Sequence, residues 1–216
     1  MALREALESS RELFVRQRKE WTEIVINLET RNRYAVMDAS GETLGAVAEV
    51  ATGFSAFLSR TFLGSHRPLD VHVLERDGSA LLHLTRSFFW LFSSLDVTRA
   101  DGALVGRVER RFGVLYRKYD LHDEHGRCFA RVSAPRWRIW TFPVKGEDGF
   151  SEATISKKWG GGLREIVTDA DTFRVEFESG NWTAGQRAVV FAAAISVDFD
   201  FFENNQGSGG LLSFGD

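Results

Sequence analysis

One short pattern, repeated five times, limits most strongly what this chain can fold into. Each copy has alternating apolar and polar residues, a turn that contains glycine, and a second alternating stretch. Alternation turns one strand face inward, and glycine accepts the positive φ that tight hairpin turns need. The turns contain Gly41, Gly78, Gly102, Gly126 and Gly149, of which the last four recur about every 24 residues. This spacing predicts one antiparallel β-hairpin per unit.

The number of predicted strands limits the architecture to a few choices. Five hairpins supply about ten strands, and residues 13–25 and 173–177 are suited to further strands. Around twelve antiparallel strands, each with one apolar face, must cover those faces. They therefore close into a barrel or pack as a sandwich. With 216 residues, the chain can build one full-sized core.

The apolar segment 188–197 departs from this pattern. It is rich in alanine, apolar on all sides, and preceded by a plausible helix N-cap at Thr183. Arg187 and Asp198 bracket only ten residues, whereas a membrane span needs about 20. We therefore interpret residues 183–203 as a buried core helix that fills a barrel, and not as a transmembrane helix. The side chains predicted to form its core are Val189, Val190, Phe191, Ile195 and Phe199.

The two ends of the chain are predicted to lie outside the barrel domain of residues 13–203. Leu3 and Leu7 share helical spacing, so residues 1–12 are expected to form a short helical arm, with a membrane-surface helix as the alternative. Residues 204–216 are polar and glycine-rich, which predicts a flexible tail. The first 20 residues lack the apolar run of a signal peptide, so we expect cytoplasmic residence.

The charge pattern limits the partners. A formal net charge of −3 makes a nucleic-acid partner unfavourable, so an anionic partner must be held by a local patch. Two clusters of basic and aromatic residues could form such a patch, which would bind anionic phospholipids or a membrane surface. A solvated strand edge is the alternative for each cluster. The basic and tryptophan residues of these clusters are Arg110, Arg111, Arg117 and Lys118, and then Lys157, Lys158, Trp159 and Arg164. Arg136, Arg138 and Trp140 would share one strand face if alternation holds, which gives a further candidate interfacial patch. Core packing is the alternative for Trp137.

Motifs for bond chemistry are missing from the sequence. His122 and His125 are three residues apart, but we interpret them as a polar hairpin turn, with a metal-binding pair as the alternative. There is no nucleophile elbow, phosphate-binding loop or zinc-binding helix motif. We therefore do not expect an enzyme.

Nearly the whole chain resembles the phospholipid scramblase family, within the tubby C-terminal-like superfamily. The resemblance covers residues 13–203 and depends on motifs in their family order: Ile155-Ser-Lys-Lys-Trp159, Leu163-Arg-Glu165, Thr168-Asp-Ala-Asp-Thr-Phe173, Asp198-Phe and Phe201-Phe-Glu203. It implies a twelve-stranded barrel wrapped around a hydrophobic C-terminal helix. It also implies ATP-independent, Ca²⁺-responsive movement of phospholipids between leaflets, peripheral at the inner face of the plasma membrane.

The calcium segment implied by this resemblance falls on residues 169–180. Asp169 and Asp171 fill the first and third positions of a calcium loop, but Arg174 and Gly180 stand where such a loop needs glycine and a carboxylate. We interpret the segment as a turn that leads into a strand, and expect any Ca²⁺ binding to be about millimolar. The alternative function is a soluble tubby-like module that binds a small ligand, protein or nucleic acid without transporting lipid.

Overall fold

The computed structural model describes residues 1–17, 30–50, 68–87, 93–135, 137, 140–157, 172–178 and 181–201. The calcium segment, apart from residues 172–178, and residues 202–216 lie outside this part of the chain. The described elements are a short helix, twelve strands and a long helix. They are α1 (Leu3–Ser9), β1 (Glu12–Gln17), β2 (Thr30–Met37), β3 (Thr43–Val50), β4 (Leu69–Glu75), β5 (Ala80–Arg86), β6 (Ser93–Arg99), β7 (Leu104–Arg111), β8 (Tyr116–Asp123), β9 (Cys128–Pro135), β10 (Thr141–Gly146), β11 (Ser151–Lys157), β12 (Thr172–Phe177) and α2 (Ala184–Phe201).

The twelve strands form a closed antiparallel barrel. Each strand pairs with the next, and β1 pairs with β12 to close the ring. The predicted barrel is thereby confirmed, and the sandwich alternative is wrong. The five predicted turn glycines all have positive φ, between 78° and 85°, which explains why glycine stands at each hairpin turn.

The strand order gives the barrel two different ends. The five glycine turns lie at one end, which we call the turn end. The connections from β7 to β8 and from β9 to β10 lie at the opposite end, which we call the loop end. Helix α2 begins at the turn end, where Arg187 donates to the carbonyl of Leu7, and finishes at the loop end beside Arg86.

The long helix α2 fills the barrel. Its residues from Val189 to Ala193 have no solvent exposure, and the helix packs mainly against β7 and β8. A helix that is apolar all round needs such an enclosure. A methyl group added at Gly106 of β7 would lie 2.6 Å from Cγ2 of Val189, so glycine lets the helix approach the wall there. Among the described residues, no helix is long and apolar enough to cross a membrane.

Helix α1 packs against the turn end. Leu3 and Leu7 are buried, and the Glu75 carboxylate accepts a hydrogen bond of 2.8 Å from the backbone amide of Leu3. The Arg187 guanidinium donates to the carbonyl oxygens of Leu7 and Ser10, where α1 ends. One buried arginine therefore links the end of α1 to the start of the central helix, and burial lowers its pKa.

Candidate functional site

Large apolar side chains are exposed to solvent at the loop end. Phe112 is 69% exposed, Trp137 is 70% exposed, and their neighbours are exposed as well. A cluster of exposed apolar side chains commonly marks an interaction site. We call the cluster the apolar tip, and its members are Phe112, Val114, Leu115, Tyr116, Trp137 and Trp140.

Strand pairing brings the two halves of the apolar tip together. Tyr116 at the start of β8 pairs with Pro135 at the end of β9, so the connections before β8 and after β9 lie side by side. The ring centroids of Tyr116 and Trp137 are 6.2 Å apart. A side chain at Gly113 would overlap the carbonyl oxygen of Tyr116, so the tight bend that presents Phe112 and Val114 requires glycine.

The first predicted basic cluster lies next to the tip, and its members are divided between the outer and the inner face of the barrel wall. Arg111 and Lys118 are paired in register and exposed. Arg111 also lies 3.3 Å from a carboxylate oxygen of Asp120. Arg110 lies 3.8 Å from the buried Asp200, and the Arg117 guanidinium lies 5.8 Å from the ring centroid of Phe142. The four cations therefore share one end of the barrel, with two on its outer face and two on its inner face.

The second predicted cluster is described only at its first member. Lys157 is buried, and its ammonium group lies 5.1 Å from the ring centroid of Phe173, inside the barrel wall. Trp140 of the apolar tip is close to it, since its carbonyl accepts a hydrogen bond of 2.9 Å from the Lys157 amide. Lys158, Trp159, Arg164, Asp169 and Asp171 lie outside the described residues. A lipid or calcium role for them stays a prediction.

A buried polar network lies beneath the loop end, where α2 finishes. The Asp200 carboxylate is fully buried and accepts hydrogen bonds of 2.8 Å from Nη1 of Arg86 and 2.8 Å from the hydroxyl of Tyr119. Burial, together with the charge of Asp200, holds the pKa of Tyr119 well above its usual range. Tyr119 therefore stays protonated and donates. The network ties the end of the central helix to β5 and β8.

The predicted histidine pair has separate partners. His125 is exposed and lies 3.7 Å from the Glu124 carboxylate, whereas Nδ1 of His122 lies 3.2 Å from the carbonyl oxygen of Gly126. His125 stands in the turn between β8 and β9, whereas His122 belongs to β8 itself.

The loop end matches the layers of a membrane surface. Aliphatic side chains suit the acyl region, aromatic rings suit the headgroup level, and cations with long stems reach phosphate groups. The loop end supplies all three kinds of group in one place: the aliphatic side chains of the apolar tip, its one tyrosine and two tryptophans, and the flanking Arg111 and Lys118.

Comparison with known proteins identifies a family. A family model described as Scramblase matches residues 2–204. The chain is 27% identical to altered inheritance rate of mitochondria protein 25 of Saccharomyces cerevisiae, covering 94% of this chain and 74% of the relative. It is 26% identical to a phospholipid scramblase family protein of Schizosaccharomyces pombe, covering 92% and 61%, and 26% identical to phospholipid scramblase 2 of Bos taurus, covering 91% and 70%.

A solved structure has a similar fold. An X-ray structure of a protein from Arabidopsis thaliana superposes with a TM-score of 0.50 at 16% sequence identity. The match covers 90% of this chain and 93% of the other.

Proposed function

This chain belongs to the scramblase family, and we propose that it binds anionic phospholipid surfaces through its apolar tip and promotes the movement of phospholipids between leaflets. The observation that carries the proposal is the set of exposed aromatic and aliphatic side chains at the loop end, with Arg111 and Lys118 beside them. The proposed partner is an anionic leaflet, and the proposed location is therefore the inner face of the plasma membrane, whose lipids are anionic.

Elementary energetics supports such a contact. Full burial of a large apolar side chain contributes about 1.5–3 kcal/mol, and a cation near an anionic surface adds about 1 kcal/mol. Phe112 and Trp137 are each more than two-thirds exposed, so insertion removes most of their surface from water. Lys118 and Arg111 then lie at the depth of the phosphate groups.

The proposed mechanism needs no bond chemistry and no ATP. Inserted side chains spread the headgroups and thin the local bilayer, which lowers the barrier for a lipid headgroup to cross. Helix α2 remains inside the barrel, because its removal would expose the residues from Val189 to Ala193. Ca²⁺ is proposed to act weakly through Asp169 and Asp171, as a bridge between carboxylate and lipid phosphate.

Removing two of the three most exposed side chains of the tip should weaken lipid binding. For the double substitution Phe112→Ala and Trp137→Ala, we expect the affinity for phosphatidylserine-containing vesicles to fall at least tenfold, since losing about 1.4 kcal/mol already gives that factor. Co-sedimentation over a salt series measures it, and wild-type binding should weaken as salt rises.

A matched control stands at the other end of the barrel. Phe150 is 74% exposed at the last hairpin turn, so Phe150→Ala removes a comparable apolar side chain away from the tip. Its vesicle affinity should equal that of the wild type. Equal losses in both variants would contradict the tip as the docking surface. Absence of vesicle binding at every salt concentration would favour the soluble binding module.

A further inference from the structure

Three different metal-binding side chains meet on the outer wall of the barrel, away from the apolar tip. Asp120 and His122 are two residues apart on β8 and so share its outer face, and Cys128 of β9 pairs in register with His122. One donor atom from each residue lies within 4.8 Å of the other two. Hairpin register therefore brings a carboxylate, an imidazole and a thiol together.

The imidazole of His122 has the orientation typical of a metal ligand. Nδ1 lies 3.2 Å from the carbonyl oxygen of Gly126, which fixes its proton on that nitrogen in the neutral ring. Metal-binding histidines usually donate their second nitrogen in this way. Nε2 then carries the lone pair. Among the described residues, this buried atom has no hydrogen-bond partner.

A carboxylate faces the same nitrogen. The nearest oxygen of Glu109 on β7 lies 3.5 Å from Nε2 of His122. A lone pair and a carboxylate at that distance repel each other unless a cation lies between them. A metal ion bound to Nε2 would relieve this repulsion, and the neighbouring thiol and Asp120 supply further donors for such an ion.

We propose that Asp120, His122 and Cys128 bind a divalent transition-metal ion, with Zn²⁺ as the best fit. Sulfur, nitrogen and oxygen donors together suit Zn²⁺, which accepts four ligands in a tetrahedron. Three protein ligands leave the fourth position for water or for the Glu109 carboxylate. The site differs from the lipid-binding end in chemistry, and Arg111 is a residue that contacts both.

Two arginines compete with the metal for Asp120. Arg111 lies 3.3 Å and Arg131 lies 3.5 Å from its carboxylate oxygens. Both side chains are more than half exposed, and Arg111 also contacts Glu109 at 3.8 Å. Each arginine side chain can turn into solvent when the ion binds. Asp120 then loses two ion pairs, each of small strength, and coordinates the metal ion directly.

Binding must also release a proton. The thiolate and not the thiol is the metal ligand, so Cys128 must lose its S–H proton to bind the ion. Formation of the metal–sulfur bond breaks the S–H bond and passes one proton to solvent. We therefore expect the affinity to rise with pH through the neutral range.

Cobalt titration of the full chain tests the proposal. Co²⁺ should give the near-ultraviolet charge-transfer absorption of a cobalt–thiolate bond, and Zn²⁺ should remove it by competition. Cys128→Ser should abolish the band, and His122→Ala should weaken Co²⁺ binding at least tenfold. His125→Ala is the matched control, since that exposed ring has Glu124 as its partner, and it should bind Co²⁺ like the wild type.

Two results would overturn the metal site. One is the absence of a thiolate band at millimolar Co²⁺ while circular dichroism shows a folded protein. The other is equal weakening by His122→Ala and His125→Ala, which would mean general surface binding. Asp120→Asn tests the remaining ligand separately. The metal site predicts a loss of Co²⁺ affinity of at least tenfold, and an unchanged affinity would mean that Asp120 pairs only with its arginines.

Discussion

Replacement of Phe191 by Ala should lower the free energy of unfolding by about 3–5 kcal/mol. Phe191 has no solvent exposure and lies in the middle of α2, inside a ring of twelve paired strands. Strands tied by continuous hydrogen bonding cannot collapse into the space left by a phenyl ring, so the cavity stays open and most of the packing energy is lost. Urea denaturation followed by circular dichroism measures the change.

Phe112 offers the matched control for this substitution. It is 69% exposed at the apolar tip, so Phe112→Ala should change stability by less than about 0.5 kcal/mol. The two variants separate folding from lipid contact, because Phe112→Ala should weaken vesicle binding and Phe191→Ala should reduce stability. If both substitutions left stability nearly unchanged, α2 would not be the core of the barrel.

The second large loss of stability is expected on substitution of Asp200. Asp200→Leu should destabilise the fold by about 3–5 kcal/mol, because it removes one partner of a buried ion pair and leaves the charge of Arg86 inside the barrel. Tyr119 loses the acceptor of its hydroxyl hydrogen bond in the same step. Denaturant midpoints of the wild type and the variant give the difference.

Two comparisons show whether the buried charge causes this loss. The double substitution Arg86→Met and Asp200→Leu removes both charges and should recover most of the stability lost in Asp200→Leu. Glu42→Gln breaks the exposed ion pair of Glu42 with Arg76 and should cost less than about 1 kcal/mol. Equal costs for Asp200→Leu and Glu42→Gln would contradict the buried network.

Most of the fold could be predicted from local patterns. Alternation and the turn glycines at 78, 102, 126 and 149 locate hairpins, because hairpin pairing depends on neighbours in sequence. Closure of the barrel depends on β1 meeting β12, and no local pattern records that contact. The resemblance to a family supplied it.

The inner and outer positions of the basic residues could also have been predicted. Arg110 stands two residues after the buried Val108, and Arg117 stands two residues before the buried Tyr119. Period-two alternation therefore places both arginines on the inner face. Grouping residues by closeness in sequence, as in the predicted cluster with Arg111 and Lys118, overlooks this parity. The same parity with Ile155 turns Lys157 inward.

Two contacts could not be predicted from neighbouring residues in the sequence. Arg86 and Asp200 are 114 residues apart and meet only because α2 runs through the barrel to the end of β5. The approach of Cys128 to His122 depends on the register of one hairpin, which shifts between Leu121 and His122. The sequence suggested His125 as a metal-binding partner of His122 only as the alternative to a polar turn, whereas in the structure donor atoms of Cys128 and Asp120 lie within 4.8 Å of one of His122.

Hydrogen–deuterium exchange on anionic vesicles tests the central claim most directly, namely that the apolar tip contacts lipid while α2 stays inside the barrel. Amides from Ala188 to Phe199 should exchange equally slowly in free and vesicle-bound protein, whereas residues 112–116 should exchange more slowly when bound. Faster exchange along α2 in the bound protein, with no protection of residues 112–116, would contradict the claim and indicate that the helix leaves the barrel.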